Sequence, residues 1–276
     1  MFGWLREVLL RTTPVLLTLT MAWFFQLLVE GVVLPQPPIT PLPETGGQEV
    51  TEIFTPTPYI NALVVVGVMF AGSLAMIVLM KYRRFIRVLL SAIFFTATWA
   101  ATTFYIILGT QLQDNAVFIT SALVASLVTA SVFSRSELAA VLGASYLSSA
   151  SGVIIGSSIP FWTSLILLVA ISLYDLLAVF KGHLKRIADA DTSSIRGLLV
   201  DFRGVTIGLG DLFFYSVLLS FSISNFGVLS GATAYAGLLG GFIATLHLAK
   251  RRRIFPGLPL TLSVALVASL LTYWLV

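Results

Sequence analysis

The chain breaks into nine apolar runs, each close to the roughly 17–25 residues that a helix needs to cross a bilayer. They cover 14–34, 59–80, 88–108, 116–133, 138–156, 161–180, 205–224, 229–249 and 258–276. A spanning β-strand would alternate polar and apolar positions, whereas these runs are continuously apolar. Backbone groups in lipid must bond within their own segment, which also selects helices. The sequence therefore predicts an all-α, polytopic membrane protein with nine transmembrane helices. Charge is scarce to match: 10% of residues, against about 25% in soluble domains. The first run is too long for a cleavable signal peptide, and no small-residue cleavage site follows it.

Lys and Arg mark the cytoplasmic side of a membrane protein. If nine spans alternate, Arg6, Arg11, Lys81, Arg83, Arg84, Arg87, Arg135, Lys181, Lys185, Arg186, Arg196, Arg203 and Lys250 to Arg253 all fall on one face, and these are all 16 basic residues. Glu44, Glu49, Glu52 and Asp114 fall on the other. This predicts a cytoplasmic N-terminus and an external C-terminus. It also assigns the net charge of +4 to membrane orientation and not to nucleic acid.

Residues 1–276 read as a single membrane domain. Six spans and a cytoplasmic loop, 181–204, make up residues 1–204; three spans make up 205–276. The Pro-rich stretch 35–58 reads as an extended, mobile external loop. Loop 181–204 reads as a mobile tether with a short amphipathic helix, or as a gate. Small residues four apart, Ala122, Ser126 and Ala130, then Gly237 and Gly241, suit close helix packing in lipid.

Two acids, Asp175 and Asp211, lie inside apolar spans. An acid at the centre of a membrane helix costs about 2.5–3.5 kcal/mol on insertion scales and usually faces a bundle interior or a water-filled cavity. Asp175 precedes Lys181 by six residues and Asp211 follows Arg203 by eight. At helical rise these separations put the acids about 9 and 12 Å inside the same face. Antiparallel neighbouring helices would let them face each other. Two such carboxyls share one proton, leaving one acid and one base. The base can deprotonate a water while the acid protonates a carbonyl, which hydrolyses a peptide bond. No cysteine is present, and only His183 and His247 could supply imidazole. The expected site is therefore free of metal and cofactor.

Around Asp211 stand Gly208, Leu209 and Gly210, glycines that would let a neighbouring backbone approach. Tyr174 precedes Asp175, its hydroxyl either bonded within the site or packed in the interior. Pro256, Gly257, Leu258 and Pro259 disfavour regular helix. They read either as a helix start at the membrane surface or as an irregular wall offering backbone hydrogen bonds to an extended substrate. From spacing alone, a protease and an ion-coupled transporter stand level, and a scaffold with acids that serve assembly is a third reading.

Tyr174-Asp175, Gly208-Leu209-Gly210-Asp211 and Pro256-Gly257-Leu258-Pro259, in that order and in those spans, resemble the three signatures of the presenilin and signal peptide peptidase family. The third departs from the family's Pro-Ala-Leu by Gly257. The resemblance implies a GxGD-type intramembrane aspartyl endopeptidase with Asp175 and Asp211 as catalytic pair and the Pro256–Pro259 segment as substrate-positioning. Its substrates would be single-span transmembrane proteins. The deduced orientation is similar to that of presenilin, which implies substrates with an external N-terminus. The short 181–204 loop resembles that of microbial homologues. It implies a prokaryotic, archaeal-type plasma-membrane protein that acts without accessory subunits, alone or as a homo-oligomer.

Overall fold

The computed structural model describes residues 10–37, 39–44, 48–110, 112–180, 197–249 and 257–276. Among these are nine α-helices: α1 (Thr13–Val29), α2 (Thr57–Leu79), α3 (Arg83–Gly109), α4 (Asp114–Val132), α5 (Glu137–Ser158), α6 (Phe161–Phe180), α7 (Leu209–Phe226), α8 (Val228–Ala249) and α9 (Leu258–Leu275). Seven of them, α2 to α5 and α7 to α9, are long and apolar enough to cross a membrane. Helix α1 and the stretch Phe161–Leu177 of α6 are shorter apolar helices. The chain is thus an integral membrane protein, and Leu63, Val78, Val88, Ile119 and Leu127 turn outward as lipid-facing residues do. Arg6, residues 181–196, the basic cluster 250–253 and Pro256 lie outside the described residues.

Two of the expected spans begin or end elsewhere. The run 14–34 is helical only to Val29, because Gly31 takes a φ of +80° and the chain continues extended toward Pro35 and Pro37. The run 205–224 opens as a β-strand. β1 (Leu199–Phe202) and β2 (Val205–Gly208) pair antiparallel, Val200 opposite Ile207. Val205, Thr206 and Ile207 are all β-branched and Gly204 supplies a turn, so local preference favours a hairpin over helix. Nine helices among the described residues agree with the helical reading, and one short hairpin is added to it; of the loop 181–204, read as a tether or a gate, residues 199–204 belong to that hairpin.

The described residues form two compact units. The first comprises Met1–Gly31, Tyr82–Ile154 and Asp191–Ser220. In it α1 buries Val15, Leu19, Ala22, Phe25 and Val29 at helical spacing. Phe25 stacks on Tyr105 of α3 at 4.4 Å, and the Tyr105 hydroxyl donates to the Ala150 carbonyl of α5 at 2.8 Å. Gly152 lets α5 touch α7: a Cβ there would stand 2.6 Å from Ser216 Cβ. On α4 the buried small residues are Ser121 and Ala125, while Ser126 and Ala130 are exposed. The stripe expected at 122, 126 and 130 is therefore one helical position off the packed face.

The second unit comprises Val32–Lys81, Ile155–Ala190 and Phe221–Val276. Its tightest pair is α8 with α9. A Cβ at Gly237 would lie 2.7 Å from Ala265 Cα, and one at Gly241 2.7 Å from Thr261 Cα, so the backbones are in contact as the four-residue spacing predicts. Helix α6 buries Leu167, Leu168 and Ile171. The Pro-rich loop, expected to be mobile, is tied down. Asn61 of α2 accepts from the Leu42 amide at 2.9 Å and donates to Leu42 O at 2.9 Å and to Glu44 at 2.8 Å. Trp162 Nε1 donates to Glu49 O at 2.9 Å, and Gln48 Nε2 to Asn225 O at 3.0 Å. The expected extended stretch is broken by a short 3₁₀ helix at Val50–Phe54; Asn61 and Trp162 satisfy loop backbone groups, and Gln48 of the loop in turn satisfies a carbonyl of α7.

Candidate active site

Asp211 is positioned by a strand, a turn and a helix start. Phe202 and Val205 flank a two-residue turn in which Arg203 has φ +49° and Gly204 φ +75°. Both central residues are left-handed, the geometry that joins adjacent strands with the right twist. Val200, Phe202 and Ile207 are 1%, 4% and 3% exposed, so the hairpin is anchored by one apolar face. Pairing runs one residue past the strands: the Leu209 amide donates to Leu198 O at 2.8 Å. There the chain turns into α7, and Asp211 falls in the first helical turn. The first turn of a helix carries unsatisfied N–H groups and a partial positive charge, a favourable place for a carboxylate. The depth expected from helical rise after Arg203 is revised, because 205–208 is strand and Asp211 is the third residue of its helix.

The two glycines of this segment do different things. A Cβ on Gly208 would sit 3.5 Å from the Asp211 carboxyl carbon, in contact with the carboxylate. A Cβ on Gly210 would meet nothing within 4 Å. Gly208 keeps the carboxylate uncovered; Gly210 leaves open space beside it. Leu209 is held from α5, whose Ser148 Oγ donates to the Leu209 carbonyl at 3.3 Å.

Asp175 lies on α6, where its Oδ2 accepts a hydrogen bond from the Leu258 amide at 3.1 Å. Leu258 opens α9, so the side chain of one helix caps a free N–H group of another. Gly257 has φ −81°, open to any residue, so its replacement of alanine asks for no special backbone. Pro259 sits at the helix start, where a missing N–H costs nothing. Thr261 Oγ1 donates back to Gly257 O at 2.9 Å. The segment is thus both a helix start and a partner of Asp175. Tyr174 packs its ring edge against Phe70 of α2, centroids 6.3 Å apart.

Among the predicted residues, Asp175, Gly257 and Leu258 come together in the second unit. Gly208 to Asp211 form one junction in the first. Among the described residues, no group of three or more His, Cys, Asp or Glu is placed to hold a metal ion. The sequence reading missed the hairpin, Ser148, and Glu137, whose Oε2 accepts from the Arg203 amide at 3.2 Å. Arg203-Gly204 between two short β-prone runs was the available signal for the hairpin. Nothing local marks Ser148 or Glu137.

No family model matches the chain. Over 75 residues it is 39% identical to presenilin sel-12 of Caenorhabditis elegans, a stretch that spans 27% of this chain and 17% of that protein. The whole fold finds likenesses among solved structures. A presenilin family intramembrane aspartate protease solved in space group C222 superposes with a TM-score of 0.64 over 95% of this chain and 100% of that one, at 22% identity. The structure in space group P2 gives 0.63, with 96% of each chain covered and 20% identity.

Proposed function

We propose that this membrane protein of presenilin-like fold is an intramembrane aspartyl endopeptidase that hydrolyses peptide bonds within transmembrane helices of other proteins. The observation that carries the reading is the fold shared over 95% of the chain with a presenilin family intramembrane aspartate protease. The motifs of the resemblance support it: Tyr174-Asp175 lies within α6, and Gly208 to Asp211 and Gly257 to Pro259 lie at the starts of α7 and α9.

In this reading Asp175 and Asp211 are the catalytic pair and share a proton. One carboxylate draws a proton from water as the other donates to the scissile carbonyl. The Leu258 amide orients the Asp175 carboxyl, and the first turn of α7 orients Asp211. A helical substrate must unwind to be cut. Among the described residues neither hairpin strand has a second partner, so an extended substrate has an edge to join, leading straight into Gly208 and Asp211. Tyr174, Gly208, Leu209, Gly210 and Pro256 to Pro259 are the substrate-positioning residues of this reading. The substrates are single-span proteins with an external N-terminus. The enzyme is GxGD-type, crosses the membrane nine times with its N-terminus cytoplasmic, and works in a prokaryotic plasma membrane without accessory subunits.

The test is the purified chain in liposomes with one single-span peptide. Wild type cleaves it, and Asp175→Ala and Asp211→Ala each lower the rate by about 10²-fold or more, the scale of acid–base catalysis, while both variants stay folded. A hydroxyl-bearing transition-state mimic, whose hydroxyl replaces the attacking water, inhibits wild type. Cleavage that survives either substitution overturns the assignment. Ion flux lost on Asp175→Asn, with no cleavage by wild type, would mark a transporter instead.

A further inference from the structure

One helix runs beside the whole segment that carries Asp211. Along α5 the contacts advance in step with the chain they touch. Glu137 accepts from Arg203 N at 3.2 Å, Ser148 donates to Leu209 O at 3.3 Å, and Gly152 lies against Phe213 O and Ser216. From Glu137 to Ser148 is about 16 Å of helix. From Arg203 to Leu209 is about 20 Å of extended chain. The two spans match closely enough for α5 to hold both ends of β2. All of these residues belong to the first unit.

Each contact answers a need. The Arg203 amide sits in the two-residue turn, outside the strand ladder, and Glu137 gives it a charged acceptor. Ser148 is 2% exposed and reaches the first carbonyl of α7 from outside that helix. Beside it lies a cleft of about 300 Å³ lined by Leu147, Ser148, Ser151, Leu209, Gly210 and Phe213, among others. The hydroxyl of Ser151 is buried there with no hydrogen-bond partner. A cleft of that size leaves room for the first turn of α7 to shift when nothing pins it; Ser148 is the pin.

We infer that Ser148 and Glu137 are positioning residues: α5 is a splint that fixes the hairpin and the first turn of α7, and so sets where the Asp211 carboxylate points. Neither side chain takes part in the chemistry. The inference rests on Asp211 being catalytic, as proposed above.

The experiment uses the full chain in liposomes, a single-span peptide substrate, and Ser148→Ala, Ser148→Thr, Glu137→Ala and Glu137→Gln. Ser148→Ala lowers kcat by about 10- to 100-fold, as a small misplacement of a catalytic group does, with KM little changed. It also alters the pH profile of kcat, because the shared proton depends on how the two carboxyls meet. Ser148→Thr keeps the hydroxyl, the cleft admits its methyl, and activity returns. Glu137→Gln keeps an acceptor and resembles wild type; Glu137→Ala falls between. Amide exchange across 203–213 speeds up by about tenfold in Ser148→Ala, the worth of one hydrogen bond, while α1 and α4 are unchanged. Wild-type kcat, pH profile and exchange in Ser148→Ala overturn the inference. Should Ser148→Ala fail to fold, the Glu137 pair decides by the same readouts, since that side chain is exposed. If wild type cleaves nothing, the protease reading fails, and exchange at 203–213 alone decides whether α5 is the splint.

Discussion

Gly208 and Gly210 flank the same leucine and meet different surroundings. A methyl on Gly208 would rest on the Asp211 carboxyl at 3.5 Å; one on Gly210 would project into open space. Gly208→Ala should therefore act on the carboxylate and Gly210→Ala on whatever fills that space. Gly210 lies in the first turn of α7, where alanine suits a helix better than glycine by about 0.5–1 kcal/mol. Gly210→Ala is thus expected to keep or raise thermal stability, yet to slow cleavage by raising KM, because the proposed function assigns that space to substrate. Gly208→Ala is expected to lower kcat at unchanged KM. Thermal unfolding in detergent with steady-state kinetics on one peptide checks both; a Gly210→Ala enzyme with unaltered KM would remove substrate from that space.

At the scale of elements, helices were legible and irregular segments were not. Continuous apolar runs located the nine helices among the described residues, because in lipid a helix is the cheap way to pair the backbone. Gly237 and Gly241 also revealed the packed face of α8, since nothing else brings two backbones so close. The hairpin stayed hidden because Val205 to Ile207 is apolar and merges with the following helix; apolarity reports burial, not helix or strand. The capping of α9 by Asp175 joins residues 83 positions apart, and no local pattern encodes it. The Pro-rich loop misled in the other direction. Its composition says extended, while its anchorage depends on Asn61, Trp162 and Asn225, which no recognisable motif ties to it. Asn61 is fully buried and serves both backbone groups of Leu42. Asn61→Ala would take the acceptor from the Leu42 amide, at a cost of about 1–3 kcal/mol, while Leu42 O keeps Gln36 and Glu44 keeps Thr163. The expected result is a lower unfolding temperature and faster protease cleavage within 35–58. A loop that is cut equally fast in wild type would show that these bonds do not hold it.

For the molecule as a whole, orientation in the membrane decides which substrates can be read. With nine crossings, all 16 Lys and Arg lie on one face, and the rule for basic residues places that face inside. The chain has no cysteine, so single cysteines report sidedness directly. Tyr82, between α2 and α3, is 58% exposed, and Val276, at the far end of α9, is 90% exposed. In intact cells a membrane-impermeant maleimide is expected to label Val276→Cys and Gln113→Cys and to spare Tyr82→Cys until the membrane is opened. The consequence reaches the chemistry. A sheet edge accepts either strand direction, and the proposed reading assigns the joining substrate one of them relative to β1 and β2, and so to Gly208 and Asp211. Inverting the protein in the membrane would reverse the polarity of the helices it can cut. Labelling of Tyr82→Cys from outside would therefore overturn both the N-in topology and the preference for substrates with an external N-terminus, while leaving the aspartate pair untouched.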